Sequence, residues 1–237
     1  MFCDGSRWTP AFKELCRSSR VETTAMLARA INRTSIKPEV FVQMSGVGYY
    51  PNTFTGKVMS EDGEKGTDWL SDLAKEWEDA GAGAAGVRRV VIRPGVVLGR
   101  EGGMIQQIFP PFFMGLGGRM GEGSQPMPWV HVKDVAGIVV HAVKNTQVEG
   151  TLNAVSPHII TNQEFVDAFA GALGRPAFFP LPEFVWNFVF GEERAVMITK
   201  GQQVEPKRTL ESGYRFLYPT IESACKEFSH LIYINSD

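Results

Sequence analysis

Cysteine, histidine and long apolar runs are all scarce in this sequence, and each scarcity removes a class of protein. The three cysteines (Cys3, Cys16 and Cys225) are odd in number and far apart. They read as reduced thiols in a reducing, cytoplasmic compartment, with mitochondrion and nucleus left open, and no disulfide framework is expected. The four histidines (His131, His141, His158 and His230) form no metal-ligand spacing with them, so no metal site is expected. No run approaches the roughly 18 apolar residues of a membrane-spanning helix. The opening residues MFCDGSRWTP carry an acid and lack an apolar core, so no signal peptide is visible. Charge of one sign is missing too: 24 basic against 26 acidic side chains leave a net charge of −2. The chain therefore lacks the basic footprint of a nucleic-acid binder. The expected partner is a small-molecule substrate, not nucleic acid or membrane, and the oligomeric state is left open.

What is present is an ordinary globular mixture, 43% apolar and 21% charged over 237 residues, enough for one or two domains with a real core. Thr9-Pro10 reads as a helix start, with apolar residues at helical spacing to about residue 33. Residues 40–44 form a short apolar run, as in a strand buried on both faces. Residues 51–66 are polar and glycine-rich, a surface loop. Thr67-Asp68 opens a helix carrying Trp69, Leu70, Leu73 and Trp77, and residues 89–93 form a second buried strand. Residues 99–127, rich in Gly, Met, Phe and Pro, read as an insertion with little regular structure. Residues 129–132 are strand-like, and Asp134 reads as the cap of the next helix. Residues 150–155 form another strand, and Thr161-Asn162-Gln163-Glu164 is a capping box whose helix stops at Gly174-Arg175-Pro176. Further helices are expected near 182–190, 192–200 and 219–228. Strand–helix–strand alternation argues an α/β protein with a parallel sheet.

Residues 81–86, Gly-Ala-Gly-Ala-Ala-Gly, match the dinucleotide fingerprint letter for letter. That motif works only after a strand and at a helix N-terminus, whereas here a helix precedes and a strand follows. A helix-to-strand connection is the reading. Two other segments have a better position, since ligands of open parallel sheets sit beyond the carboxyl ends of the strands. Ser45-Gly46-Val47-Gly48-Tyr49-Tyr50 puts a hydroxyl at such an end, with a tyrosine four or five residues on. Arg93-Pro94-Gly95-Val96-Val97-Leu98-Gly99 offers a backbone that a flat ring can approach. The glycine-rich stretch leading to Gln125, Trp129, His131 and Asp134 completes the candidates. Ser45, His131 and Asp134 could be named a triad, but residue types alone do not make one.

These segments, together with Ser19-Arg20-Val21-Glu22-Thr23-Thr24, residues 110–118, Thr161-Asn162-Gln163-Glu164-Phe165 and Ala172-Leu173-Gly174-Arg175-Pro176, occur in an order that resembles one family. It is the epimerase family proteins, atypical short-chain dehydrogenases/reductases similar to sugar-nucleotide epimerases, and the likeness runs over about residues 6–228. The resemblance implies an extended Rossmann fold, a parallel sheet with flanking helices that binds NADP(H), and a smaller, mostly helical C-terminal substrate domain. Residues 1–98 with 129–155 would belong to the first, 99–128 to a cleft insertion, 156–230 to the second and 231–237 to a tail. It also implies that Arg20, Ser45, Gly46, Arg93, Pro94, Gly95 and Val97 border the cofactor, and that Tyr49, Gln125, Trp129 and His131 face the substrate.

Two departures qualify these implications. Such proteins open with a strand, a glycine-rich phosphate turn and a helix, whereas this sequence starts at the helix after the fourth strand. A truncated product, short by about 60 residues, is the expectation. The wider superfamily also uses Tyr-x-x-x-Lys, with lysine lowering the tyrosine pKa for proton transfer. The five tyrosines here are followed, four residues on, by Thr53, Phe54, Tyr218, Glu222 and Asp237. The expected activity is thus an NADP(H)-dependent oxidoreductase or epimerase-like reaction on a small carbonyl or sugar-like substrate, with Ser45, Tyr49 and His131 as catalytic candidates. The alternatives are a non-catalytic nucleotide-binding or interaction protein, and a truncated product without cofactor binding.

Overall fold

The computed structural model describes residues 8–52, 56–179 and 200–229. Thr9 caps α1 (Pro10–Arg17), its hydroxyl accepting from the Phe12 amide. A π-helical turn at Ser18–Glu22 then leads into α2 (Thr23–Arg33). The single helix expected over this stretch is therefore one helical run with a widened turn inside it, a local change that apolar spacing does not register.

Strand β1 (Val40–Met44) pairs in parallel with β2 (Arg88–Pro94), and β2 pairs in parallel with β6 (Gly150–Ala154), giving the order β1-β2-β6. The register sets Val42 beside Val90 and Ile92 beside Leu152. Helix α3 (Trp69–Ala82) connects β1 to β2, capped by the Asp68 carboxylate on the Ser71 amide. Central β2 is buried on both faces, as its continuous apolar run requires: Val90, Val91, Ile92 and Arg93 are all under 5% exposed. β1 differs from expectation. Only Gln43 on it is buried, because among the described residues the strand has β2 as its only strand neighbour.

The fingerprint-like glycines do lie between helix and strand. Gly81 closes α3 onto β1, where a Cβ would stand 1.9 Å from the Gln43 side-chain oxygen. Gly86 takes a φ of 70° before β2. The first letter of the false fingerprint is thus a packing glycine.

Beyond β2, β3 (Val96–Gly99) pairs in parallel with β5 (Trp129–His131), and β4 (Pro126–Met127) pairs antiparallel with β7 (Ile160–Thr161). Helix α4 (Gly103–Phe113) corrects the reading of 99–127 as nearly structureless. Pro110 and Pro111 fall inside it, and tertiary packing outweighs their poor propensity: Ile105 and Phe112 are buried against Phe169 and its neighbours. Helix α5 (Val132–Lys144) leads to β6. Helix α6 (Asn162–Leu173) keeps the expected capping box and left-handed Gly174 stop. Short α7 (Lys207–Glu211) was not foreseen, and α8 (Ile221–Phe228) lies where a helix was expected. The helices expected at 182–190 and 192–200 lie outside the described residues apart from Lys200.

The largest apolar cluster joins β3, α4, β5, α6 and α8 around Leu98, Trp129, Phe165, Phe169 and Phe228; a second lies between the sheet and α5 around Ile92, Ile138 and Leu152. The supposed surface loop at 51–66 is partly core. Met59 and Glu61 are 4% and 6% exposed, and Met59 bridges to Val204. Glu61 accepts from the backbone amides of Asn153 and Arg208 at 3.0 Å each. Polar composition hid this role, because the buried group is a carboxylate satisfied only by partners far away in sequence.

Candidate functional site

A cavity of about 770 Å³ opens at the carboxyl ends of β1 and β2. Ser45, Gly46 and Val47 continue β1 into its wall, and Pro94, Gly95, Val96 and Val97 continue β2. Leu70, Leu73, Ala74 and Trp77 of α3 form an apolar side. The turn around Gly99–Gly103 and the start of α5 also line it. Gly46 is part of the wall, and a Cβ there would meet nothing nearer than 3.9 Å. The wall's charged residues are Arg20, Arg100 and Lys133 against Glu101 and Glu227, three cations to two acids, a balance suited to an anionic ligand.

Of the sequence candidates, Arg20, Ser45, Gly46, Pro94, Gly95, Val97 and His131 come together on this wall. Arg20 sits on the π-helical turn with its guanidinium 5.4 Å from the centre of the Trp77 ring. Arg93 requires correction: it is 4% exposed and stands behind the wall. Its Nε and Nη2 donate to the two carboxylate oxygens of Glu78 at 2.8 Å each, and Nη1 donates to the Tyr50 hydroxyl at 2.9 Å. A guanidinium so engaged has its strongest partner within the fold.

Ser45, 7% exposed, donates its hydroxyl to Glu78 at 2.7 Å. Tyr49 lies under Arg93, the guanidinium 3.5 Å from its ring centre. Trp129 also requires correction. It is 1% exposed, packed within the largest apolar cluster of the described residues. Gln125 is buried, with its amide donating to the Met120 carbonyl. Tyr49, Gln125 and Trp129 stand off this cavity's wall.

His131, not Asp134, caps α5: its Nδ1 accepts from the Lys133 amide at 3.2 Å. The ring is 1% exposed, stacked 3.8 Å from Tyr218, with Nε2 3.4 Å from Glu227. Burial holds its pKa below the ordinary 6.5, against the raising pull of Glu227 and Asp134. The imidazole is neutral at pH 7 with its proton on Nε2, the tautomer an accepting Nδ1 demands. Asp134 sits in the first turn of the helix, fully buried. It accepts from the amides of Leu217 and Tyr218 and from the Tyr214 hydroxyl at 2.7–3.0 Å. The sequence placed an acid at this helix start; nothing local shows that it reaches over to residues 214–218.

Sequence reasoning also missed Glu78, Glu61 and Glu227. Glu78 lies on the buried face of α3, and a carboxylate on an apolar face was its one available signal. At the cavity's edge Glu227 accepts from Lys133 at 2.8 Å and from the Tyr218 hydroxyl, while Lys133 stands 3.3 Å from that hydroxyl. Among the described residues no cluster of His, Cys, Asp or Glu could hold a metal ion, and no helix is long and apolar enough to cross a membrane.

A parallel sheet with flanking helices and a cavity beyond its strand ends is the architecture of Rossmann-type nucleotide-binding proteins. The comparisons narrow the class. The chain is 47% identical to the epimerase family protein SDR39U1 of Bos taurus over 224 residues, 93% of this chain and 76% of that one. It is 34% identical to the epimerase family protein YfhF of Bacillus subtilis, covering 93% and 73%. The crystal structure of human epimerase family protein SDR39U1 (isoform 2), solved with NADPH, superposes with a TM-score of 0.94 at 42% identity, over 97% of this chain and 79% of that one. A nucleoside-diphosphate sugar epimerase from Corynebacterium glutamicum superposes at 0.76 and 27%, over 95% and 45%. Residues 181–228 match a domain of unknown function, DUF1731. The chain belongs to the epimerase family proteins of the short-chain dehydrogenase/reductase group.

Proposed function

We propose that the cavity binds NADP(H), with the nicotinamide ring between the Ser45–Gly46 and Pro94–Val97 walls, and that the protein acts as an oxidoreductase or epimerase-like enzyme on a small carbonyl or sugar-like substrate. The observation that carries this reading is the cavity at the ends of β1 and β2, with Gly46 on its wall, an apolar side and a cationic balance. The human relative solved with NADPH supports it. When bound, the cofactor would supply or accept a hydride. The chain's residues would seat the ring and exclude water, and Arg20 would meet phosphate, which a guanidinium pairs bidentately.

A thermal melt with and without NADPH tests the binding. Cofactor at 100 times its dissociation constant adds about 2.7 kcal/mol to the folded state, so the transition should move up. A melt indifferent to NADPH would refute the reading.

One specific observation favours a second reading, cofactor binding without turnover: two of the candidates already serve the structure. The Ser45 hydroxyl donates its hydrogen bond to Glu78, and His131 caps α5 through Nδ1. Nor does the Lys133–Tyr218 contact stand in for Tyr-x-x-x-Lys, since the hydrogen bond to Glu227 raises the Tyr218 pKa, opposite to what proton transfer needs. Hydride transfer to a panel of aldehydes and ketones, followed by NADPH absorbance, separates the two readings.

A further inference from the structure

The bond between Ser45 and Glu78 fixes the direction of a proton. Both oxygens of Glu78 face Arg93 at 2.8 Å, and the Tyr50 hydroxyl holds that guanidinium from the far side. A carboxylate in a bidentate ion pair is ionised and can only accept hydrogen bonds. Oγ of Ser45, 2.7 Å from Oε1, must therefore be the donor. A serine hydroxyl has one proton, so the oxygen keeps only lone pairs for anything else. The Ser45 amide is bound to the Ile92 carbonyl at 2.8 Å, which fixes the backbone, and the residue is on the cavity wall. A substrate carbonyl or an oxyanion placed against Oγ would set acceptor against acceptor.

We propose that Ser45 meets the bound ligand as a hydrogen-bond acceptor, taking a carboxamide N–H of the nicotinamide, with Glu78 as the positioning residue that holds the serine's own proton away from the cavity. The inference rests on the reading of the cavity as the nicotinamide site. Ser45, a catalytic candidate from the sequence, here orients the cofactor ring, and its proton reaches the ligand only if the contact with Glu78 breaks.

Two measurements test it. The first compares NADP+ with its 3-acetylpyridine analogue, in which an acetyl group replaces the carboxamide and no N–H donor remains. The wild-type protein should prefer NADP+ by roughly tenfold, the worth of one good hydrogen bond, and Ser45→Ala should lose the preference. An equal preference in both proteins would overturn the proposal while leaving cofactor binding intact. No binding of either dinucleotide to the wild type would instead overturn the cofactor reading, and this proposal with it. The second measurement, neutron diffraction of deuterated wild-type crystals with NADP+, needs no variant. The Ser45 deuteron should lie on the line to Glu78 with a carboxamide deuteron aimed at Oγ. A Ser45 deuteron pointing into the cavity would overturn the proposal.

Discussion

At the scale of single residues, the molecule uses buried carboxylates as anchors. Asp134 satisfies two backbone amides and a phenol. Asp134→Ala should cost about 3 kcal/mol or more by orphaning those donors, measurable by urea denaturation. Asp134→Asn should recover part of the loss through its remaining oxygen. His131 gives a pH dependence with a definite sign. Burial depresses its folded pKa below the unfolded 6.5, so the folded form binds fewer protons in that range. Its contribution is fully present above pH 6.5 and is lost as pH falls toward the depressed folded value. Denaturation at pH 5 and pH 8 should show a larger loss for wild type than for His131→Asn, which keeps a cap acceptor but does not titrate. Arg20→Ala should weaken NADPH binding about tenfold with little change in the melt of the ligand-free protein, a pair of readings that calorimetry and a thermal scan supply.

At the scale of elements, local chemistry was legible where it acts locally. Asp68, Thr161 with Glu164, and Gly174 end or begin the helices their residue types announce. Thr161→Ala should cost about 1 kcal/mol, and Thr161→Ser should restore most of it. Two elements escaped because their cause is tertiary. α4 carries two prolines that argue against a helix, yet Ile105 and Phe112 bury against Phe169. The cap of α5 passed from Asp134 to His131 because the aspartate is drawn to residues 214–218, which lie 80 or more positions away.

At the scale of the whole molecule, Glu61 ties residues 56–66 to β6 and α7 through the amides of Asn153 and Arg208, while Asp62 pairs with the Arg208 guanidinium at 2.6 Å. Glu61→Ala should loosen these contacts together at a cost of roughly 2–4 kcal/mol. Hydrogen exchange should quicken at residues 150–154 and 204–211 while the β1–β2 amides stay protected. Uniform quickening over the sheet would show instead that Glu61 supports the global fold.

The sequence by itself determined the parallel α/β class, most strand and helix positions and the two strand-end segments, Ser45-Gly46 and Pro94-Gly95, that border the cavity. Those features follow from period, capping and strand ends, which act within a few residues along the chain. Tertiary structure alone decided which polar side chains are free to meet a ligand. Arg93 and Trp129 matched the expected motifs, yet one is spent on Glu78 and the other on the apolar core. Glu78, which no motif marked, sets the direction of the Ser45 proton. A side chain's availability depends on partners 15, 33 or 92 positions away, and only the folded chain brings those partners within hydrogen-bond distance.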